Sequence, residues 1–560
     1  MDRRFLLAIL LTAVVVLTVP RLFPTPPRPD RPSATATART PTGDSASVAA
    51  SVGSQPAAEV PSAQAQAGPV DSVEMAVPVT ADTIHLETAL ARYVFSTAGA
   101  KPLQVELLQY ESLVDSALAD SGHKVRLARE NTPLLRYAVA IRGDTVPLDG
   151  IAFSADTTAP NAVTFRGALP SGDSVRVQYE LGADSYVIDV RGQVEGAGGS
   201  QLLVTIVNGL RTEEPDSLDD IRYYAYVVKP VLDDARSVSF QDLDTARAQV
   251  ETDGPYRWVA TKNKYFVLGL LTDSSAQGFS GARLVPTPRA KRDVARDAAA
   301  TISYALPDDG SFSFETYAGP QQYKRLTELG REFTNVNPYG GFFAGMIQPF
   351  ATAVMKLLLW MHDALKLSYG WVLIVFGIAV RVVLWPLNQT AMRTQLKLQA
   401  LQPEMKVIQT QYKTDMQRQQ QEIMLLYKKH GMSPATPIMG CLPMLIPLPF
   451  LFALFFVFQN TIEFRGVSFW YLSDISQKDP YYILPTVMAG SMFLLSWIGL
   501  KAAPPNPQAK ILAYLMPAVL FIVLRNMAAG LNLYYAVQNM AAIPQQWLIA
   551  RERKKVMPKP

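Results

Sequence analysis

One residue in the C-terminal half clashes chemically with its surroundings. Arg381 stands in WVLIVFGIAVRVVLWPL (371–387), where every other side chain could sit in lipid. A guanidinium at mid-bilayer costs roughly 2.5–3.5 kcal/mol on insertion scales. Two arrangements tolerate that cost. The long side chain can snorkel to the interface, or it can face a hydrated interior and attract a partner of opposite sign. Asn388, Gln389, Asn532, Gln538, Asn539, Gln545 and Gln546 lie in or beside this run and the last apolar run. Such amides are costly against lipid and cheap around a wet groove, which favours the interior arrangement.

Other chemistries lose support by what is missing. No G-x-x-x-x-G-K-[ST], G-x-S-x-G, H-E-x-x-H or C-x-x-C occurs. Cys441 is the only cysteine, so no intrachain disulfide can form. With four histidines besides, a Cys/His zinc site is not expected. The apolar runs carry no paired acids of the kind a proton relay needs. The acids of the N-terminal half fall in strands and turns, as on a solvated face. The expectation is a protein that is not an enzyme and holds no cofactor or metal.

The elements that must position Arg381 belong to a mosaic. The 560 residues are 49% hydrophobic and 18% charged, too apolar for an ordinary soluble enzyme and too polar for a bare bundle of spans. Net charge is only +4, so its distribution matters more than its sum. Residues 1–23, MDRRFLLAILLTAVVVLTVPRLF, set two arginines before an apolar run. That pattern suits a cleaved signal peptide or an uncleaved anchor. No small-x-small site follows it, which favours the anchor. Residues 24–81 are rich in Pro, Ala, Ser and Thr and read as a disordered linker. From 82 to 320 the texture is β. SVRVQYELGADSYVIDVRGQV alternates apolar and polar on both sides of Gly182-Ala183-Asp184, a hairpin signature. Short strands at this spacing predict a large antiparallel sandwich.

Residues 321–368 form a connection and an amphipathic helix. Phe350, Val354, Leu357, Leu358, Met361 and Leu365 fall on one face of residues 350–366, as for a helix at a membrane interface. Residues 369–550 then read as five spans: Tyr369–Leu387, Ile438–Ile462, Tyr481–Leu500, the short Ile511–Leu524, and Leu531–Ile549. With the N-terminal run there are six. Between the first two of these, 388–437 shows helical periodicity with a break near Thr414-Asp415, a helical hairpin. Its Arg393, Lys397, Lys406, Lys413, Arg418, Lys428 and Lys429 all fall on one side of the membrane, as do Arg551, Arg553, Lys554 and Lys555 of the tail 551–560. The positive-inside rule puts that side, and both termini, in the cytoplasm and the β domain outside. Arg465 and Arg525 are the exceptions.

Three stretches carry a family likeness. GIAVRVVLWPLNQTAMRTQLKLQALQPEMKVIQTQYKTD, MGCLPMLIPLPFLFALFFVF and GLNLYYAVQNMAAIPQQWLIAR are similar to the spans and cytoplasmic hairpin of the YidC-type membrane protein insertases. WVATKNKYF and YAGPQQY resemble stretches of the periplasmic part in the Gram-negative form of that family. The resemblance implies a multi-pass bacterial inner-membrane protein with a periplasmic β-supersandwich and a five-span insertase core. It implies insertion and folding of inner-membrane proteins, alone or with the Sec translocon. Expected partners are nascent membrane proteins, the Sec translocon, the lipid bilayer, and the ribosome or signal recognition particle receptor on the basic loops. Mapped by motif, Arg381 lines a hydrophilic groove, Tyr535 contacts substrate, and Tyr534, Gln538 and Asn532 lie beside them. The competing reading is a secondary transporter or channel with a periplasmic binding domain. It would need internal inverted repeats, and no such duplication is visible.

Overall fold

The computed structural model describes residues 81–560 apart from 115–122, 142, 244–248, 252–253, 273–277, 287–296, 338–343, 391–397, 399–400, 433–446, 503–506 and 557–560. The expected anchor 1–23, nearly all of the linker, Arg393 and Lys397 lie outside the described residues.

Strands from Thr83 to Pro320 form three antiparallel sheets of four, nine and six strands. The nine-stranded sheet runs Arg236–Ser239, Ala225–Pro230, Tyr256–Lys262, Phe266–Leu271, Ser311–Pro320, Val187–Val194, Ser174–Leu181, Ala162–Ala168, Ser154–Ala159. Its alternating strands follow the pleat: in Ser174–Leu181, Val175, Val177, Tyr179 and Leu181 point inward. The hairpin expected around Gly182 is present, with Leu181 paired to Ile188. All three sheets share one core. Tyr179 of the nine-stranded sheet packs on Phe95 of the four-stranded sheet, with ring centroids 4.7 Å apart, and donates to Tyr137 of the six-stranded sheet at 3.0 Å.

Some strands of this sheet depart from alternation. Ala225–Pro230 and Phe266–Leu271 are buried at every position, because both faces of the sheet are covered there. One cover is the segment after the last strand. Trp258 donates its indole N–H to the Arg331 carbonyl at 3.0 Å, and Phe333 packs on Trp258 and Tyr317. Gly269 makes room for that ring, since a Cβ there would lie 2.6 Å from Phe333. The doubly covered region also buries charge. Glu213, Glu214, Asp220, Lys229, Lys262 and Lys264 are all at most 6% exposed. The solvated face expected for the acids of this half is therefore wrong for Glu213, Glu214 and Asp220; each has a cation or an N–H to receive it.

The C-terminal half is helical: α1 Ala344–Leu365, α2 Tyr369–Val383, α3 Gln402–Gln411, α4 Met416–Lys429, α5 Pro447–Asn460, α6 Ile483–Ala502, α7 Pro507–Leu524 and α8 Ala529–Val556. Helix α1 meets α2 at 115°. His362 fixes the corner, with Nδ1 2.6 Å from the Leu367 carbonyl and its ring stacked on Tyr369. Of the apolar face expected for α1, Val354, Leu358 and Met361 are buried, while Leu357 and Leu365 are exposed beside Trp360. The buried stripe packs inward and the rest forms a second apolar surface.

Among the described residues, Ile483–Lys501 alone is long and apolar enough to cross a membrane as a single helix. The expected five spans differ from it for local reasons. Helix α2 is interrupted by a turn at Leu384 before helix resumes over 385–390. The span ending at Ile462 begins outside the described residues. Helix α8 is long, but its amides dilute its apolar character, and it continues past residue 550 to Val556.

Candidate functional site

Arg381 lies in the last turn of α2. Trp371, Val375, Ile378 and Val382 recur at helical spacing and are exposed; Val372, Leu373, Phe376, Gly377 and Val380 are buried. Arg381 follows Leu373 and Gly377 at steps of four, so it belongs to the inward stripe. Its Nε is buried without a hydrogen-bond partner among the described residues.

The surface it faces is α8. Helices α2 and α8 come close because Gly377 has no side chain: a Cβ there would lie 3.2 Å from Val537 and 3.4 Å from Tyr534. Phe376 packs on Tyr534 with ring centroids 5.7 Å apart. Tyr534 is buried and accepts a bond from Gln538 Nε2 at 2.9 Å. Tyr535 sits edge-on to Tyr534, half-buried, and its hydroxyl has no partner among the described residues. About two helical turns beyond Gln538, Gln545 is 1% exposed and donates to the Trp385 carbonyl at 3.2 Å. Trp385 in turn donates to Gln389 at 2.9 Å. The structure thus brings Arg381, Tyr534, Tyr535 and Gln538 together along the α2–α8 seam.

Asn532 does not join them. It is fully buried, and its Nδ2 donates to the carbonyls of Leu524 at 3.0 Å and Ala528 at 3.4 Å. It caps the end of α7 and ties it to the start of α8, satisfying carbonyls that a helix C-terminus leaves open. Its Oδ1 is buried without a partner among the described residues.

The basic residues form a separate surface. Helices α3 and α4 make the expected hairpin. Asp415 caps α4 by accepting from Arg418 N at 3.0 Å, and Tyr427 reaches Met405 across the pair at 3.6 Å. Lys406, Lys413, Arg418, Lys428 and Lys429 are exposed on it. Arg551 is exposed on α8 and lies 3.4 Å from the centroid of the Trp547 ring. Of Arg553, Lys554 and Lys555 the helical backbone alone is described. At the same end, Lys501 lies 3.6 Å over the Trp497 ring of α6. A Cβ on Gly499 would come 2.8 Å from Gln546, so the two Trp–cation pairs sit at neighbouring depths. No group of metal-binding side chains occurs among the described residues.

Sequence reasoning missed one feature here. The loop 461–479 between α5 and α6 reaches back to the β domain, where Arg465 meets Glu214. The one signal available is the position of Arg465, an exception to the charge pattern expected from the sequence.

Comparison with known proteins agrees with the division into two halves. The family described as YidC periplasmic domain matches residues 83–353, and the family described as 60Kd inner membrane protein matches residues 360–556. A membrane protein insertase YidC from Ralstonia nicotianae is 29% identical over 527 residues, covering 90% of each chain. One from Chlorobaculum parvum is 30% identical over 410 residues, covering 69% of this chain and 67% of that one. A crystal structure of an active YidC insertase with its first transmembrane domain resolved aligns over 84% of this chain and 95% of that one, at 16% identity and a TM-score of 0.33.

Proposed function

The chain belongs to the YidC family of membrane protein insertases, and on that premise we propose that α2 and α8 frame its substrate groove, with Arg381 as the fixed charge and Tyr535 as an aromatic contact to the arriving segment. Its substrates are nascent membrane proteins. The observation that carries the groove reading is the place of Arg381 on the inward stripe of α2, facing α8, with a buried and unpartnered Nε.

The physics needs no nucleotide. A segment of about 20 apolar residues gains free energy on entering lipid. The obstacle is the polar tail that must cross first. Arg381 lies twelve residues from the start of α2, about 18 Å along the helix at 1.5 Å per residue. That is beyond the middle of a hydrocarbon core of roughly 30 Å. A positive charge at that depth lowers the energy of an acidic tail, and low-dielectric walls strengthen the effect.

We place six spans in the inner membrane: the N-terminal run, α2, the run ending in α5, α6, α7 and α8. The hairpin α3–α4 and the basic end of α8 face the cytoplasm, and the β domain faces the periplasm. The Trp497–Lys501 and Trp547–Arg551 pairs suit a cytoplasmic interface, where tryptophan and snorkelling cations concentrate. The exposed lysines and arginines of the hairpin are a docking surface for the ribosome or the signal recognition particle receptor, and the Sec translocon is a partner at the bundle. The test is depletion of the protein in living cells, followed by complementation. Small inner-membrane proteins should remain uninserted on depletion and be restored by the wild-type chain. Their normal insertion in depleted cells would overturn the reading.

A further inference from the structure

The loop 461–479 touches three parts of the molecule at once. Ile462 is 3% exposed and belongs to the core of the β domain. Phe464 is fully buried between Tyr369 at the start of α2 and Phe458 near the end of α5, with centroids 4.9 and 4.8 Å away. Arg465 forms an ion pair with Glu214 at 2.5 Å, and donates to the Glu111 carbonyl at 2.9 Å and the Glu213 carbonyl at 3.0 Å. Lys478 pairs with Asp216 at 3.1 Å.

The far end of the same loop holds the start of α8. Ala529 N donates to the Gln477 carbonyl at 2.7 Å, Gly530 N donates to the Ile475 carbonyl at 2.9 Å, and Lys478 and Ala528 form a bridge. Gly530 is required there, because a Cβ would lie 2.5 Å from the Phe458 ring. Gln477 belongs to both attachments: its side chain donates to Glu214 at 3.4 Å while its carbonyl receives Ala529. Tyr534 and Tyr535 follow Gly530 by just over one helical turn.

We propose that this loop is a strap through which the β domain sets the position of α8, and that Arg465 and Gln477 are positioning residues for insertion. The inference rests on the reading of α8 as a groove wall and extends it to a mechanical partner. A helix moves as a unit, so a start fixed by two backbone bonds and a glycine contact fixes the tyrosines one turn further on. The strap gives the β domain a direct hold on the groove without passing through α1. Arg465 is compatible with its side of the membrane because Glu214 neutralises it.

The experiment uses the full chain in lipid vesicles, with Cys441→Ser as background and Leu531→Cys as a probe. Leu531 is 1% exposed at the start of α8. A membrane-impermeant maleimide is added on the side of the β domain, and insertion of a small membrane protein is measured in parallel. Arg465→Ala should raise the labelling rate at 531 and lower insertion, each by about fivefold or more, as expected when a local opening becomes about 1 kcal/mol easier. Arg465→Lys should recover most of both. If Arg465→Ala does not fold, Gln477→Ala, which keeps the backbone bonds, is read in the same way with smaller changes in the same direction. Labelling at 531 unchanged in a folded variant overturns the strap, whether or not insertion falls. Faster labelling with full insertion supports the mechanical link and counts instead against α8 as a groove wall.

Discussion

The guanidinium of Arg465 meets the carboxylate of Glu214 at 2.5 Å, with both side chains 4% exposed, across 251 positions of sequence. The pair joins the loop between α5 and α6 to the β domain. Arg465 also lies 5.5 Å over the Phe266 ring, so a charge and its apolar stem are both received. A buried pair of this kind is weak evidence for stability as such, but removing one partner strands the other.

Glu214→Gln should therefore destabilise the protein by about 3–5 kcal/mol, the usual cost of leaving a buried charge without its partner. Replacing both members, Glu214→Leu with Arg465→Met, should recover much of the loss because no charge is then stranded. Chemical denaturation followed through the β-domain signal measures both. A loss under about 1 kcal/mol for Glu214→Gln would mean that the pair behaves like a surface bridge.

Acidity should stabilise this junction. Burial pushes the Asp220 carboxyl up to about 7, with Glu214 adding to the rise and Lys264 opposing it. Burial likewise pushes Glu463, in the strap, up to about 7. A carboxyl whose folded value exceeds its unfolded one binds its proton more tightly when folded. Its contribution is complete below the ordinary carboxylate range near 4 and is lost as pH rises through 7. Each group should give a slope of about 1.4 kcal/mol per pH unit inside that window. The thermal midpoint should fall between pH 5 and pH 8, and Asp220→Asn or Glu463→Gln should flatten the fall. The side-chain carbonyl left by Asp220→Asn can still accept the bond that Asp220 accepts from Lys264 N at 3.2 Å. A midpoint that rises over this range would contradict the assignment.

Arg381 should matter through its charge more than its shape. Arg381→Lys should retain most insertion of a substrate with an acidic leading tail. Arg381→Ala should lose about tenfold, the equivalent of about 1.4 kcal/mol of lost attraction. A substrate with a neutral tail should be far less affected. Equal insertion of the acidic-tailed substrate by wild type and Arg381→Ala would falsify the electrostatic role.

Local patterning makes much of this molecule readable. The hairpin at Leu181–Ile188 follows from period-two alternation and a Gly-Ala-Asp turn. The α3–α4 hairpin follows from period 3.6 and an Asp415 cap. Arg381 is visible because it contradicts its own neighbours. Glu213, Glu214 and Asp220 escape such reading because an acid in a loop or a short helix looks solvated until its partner is known. Glu214's partner is supplied from the far end of the chain. The bonds of Asn532 to the Leu524 and Ala528 carbonyls escape it for the same reason. An amide on a helix carries no local mark of whether it faces water or caps the carbonyl of Leu524.

The hairpin surface should bind ribosomes weakly and with strong salt dependence, because ribosomal RNA is a dense polyanion whose counterions are released on contact. Co-sedimentation at low and moderate salt tests this. Neutralising Lys406, Lys413, Arg418, Lys428 and Lys429 together should abolish binding at low salt. Binding that ignores salt, or survives that substitution, would exclude an electrostatic dock on this face.

The short helix α7 should thin the bilayer beside the groove. It spans Pro507–Leu524, 18 residues, or about 27 Å at 1.5 Å per residue. Lys510 sits in its first turn, which leaves Ile511–Leu524 as the uncharged part, about 21 Å. The helix stops at Leu524. Arg525 and Asn526 form an exposed turn, and Asn532 caps the Leu524 carbonyl at 3.0 Å. The hydrocarbon core is roughly 30 Å, so a mismatch of several Å must be met by snorkelling or by thinner lipid, at a fraction of a kcal/mol per Å. Snorkelling by Lys510 and Arg525 relieves part of it. Thinning relieves the rest, and a thinner barrier is easier for a polar tail to cross. Lys510→Leu with Arg525→Leu lengthens the apolar run at both ends without touching the Asn532 cap. Insertion is then measured in vesicles of graded lipid thickness. The variant should lose most activity in the thickest bilayers, where wild type gains most from local thinning. Equal activity of variant and wild type at every thickness would leave the length of α7 without a role in insertion.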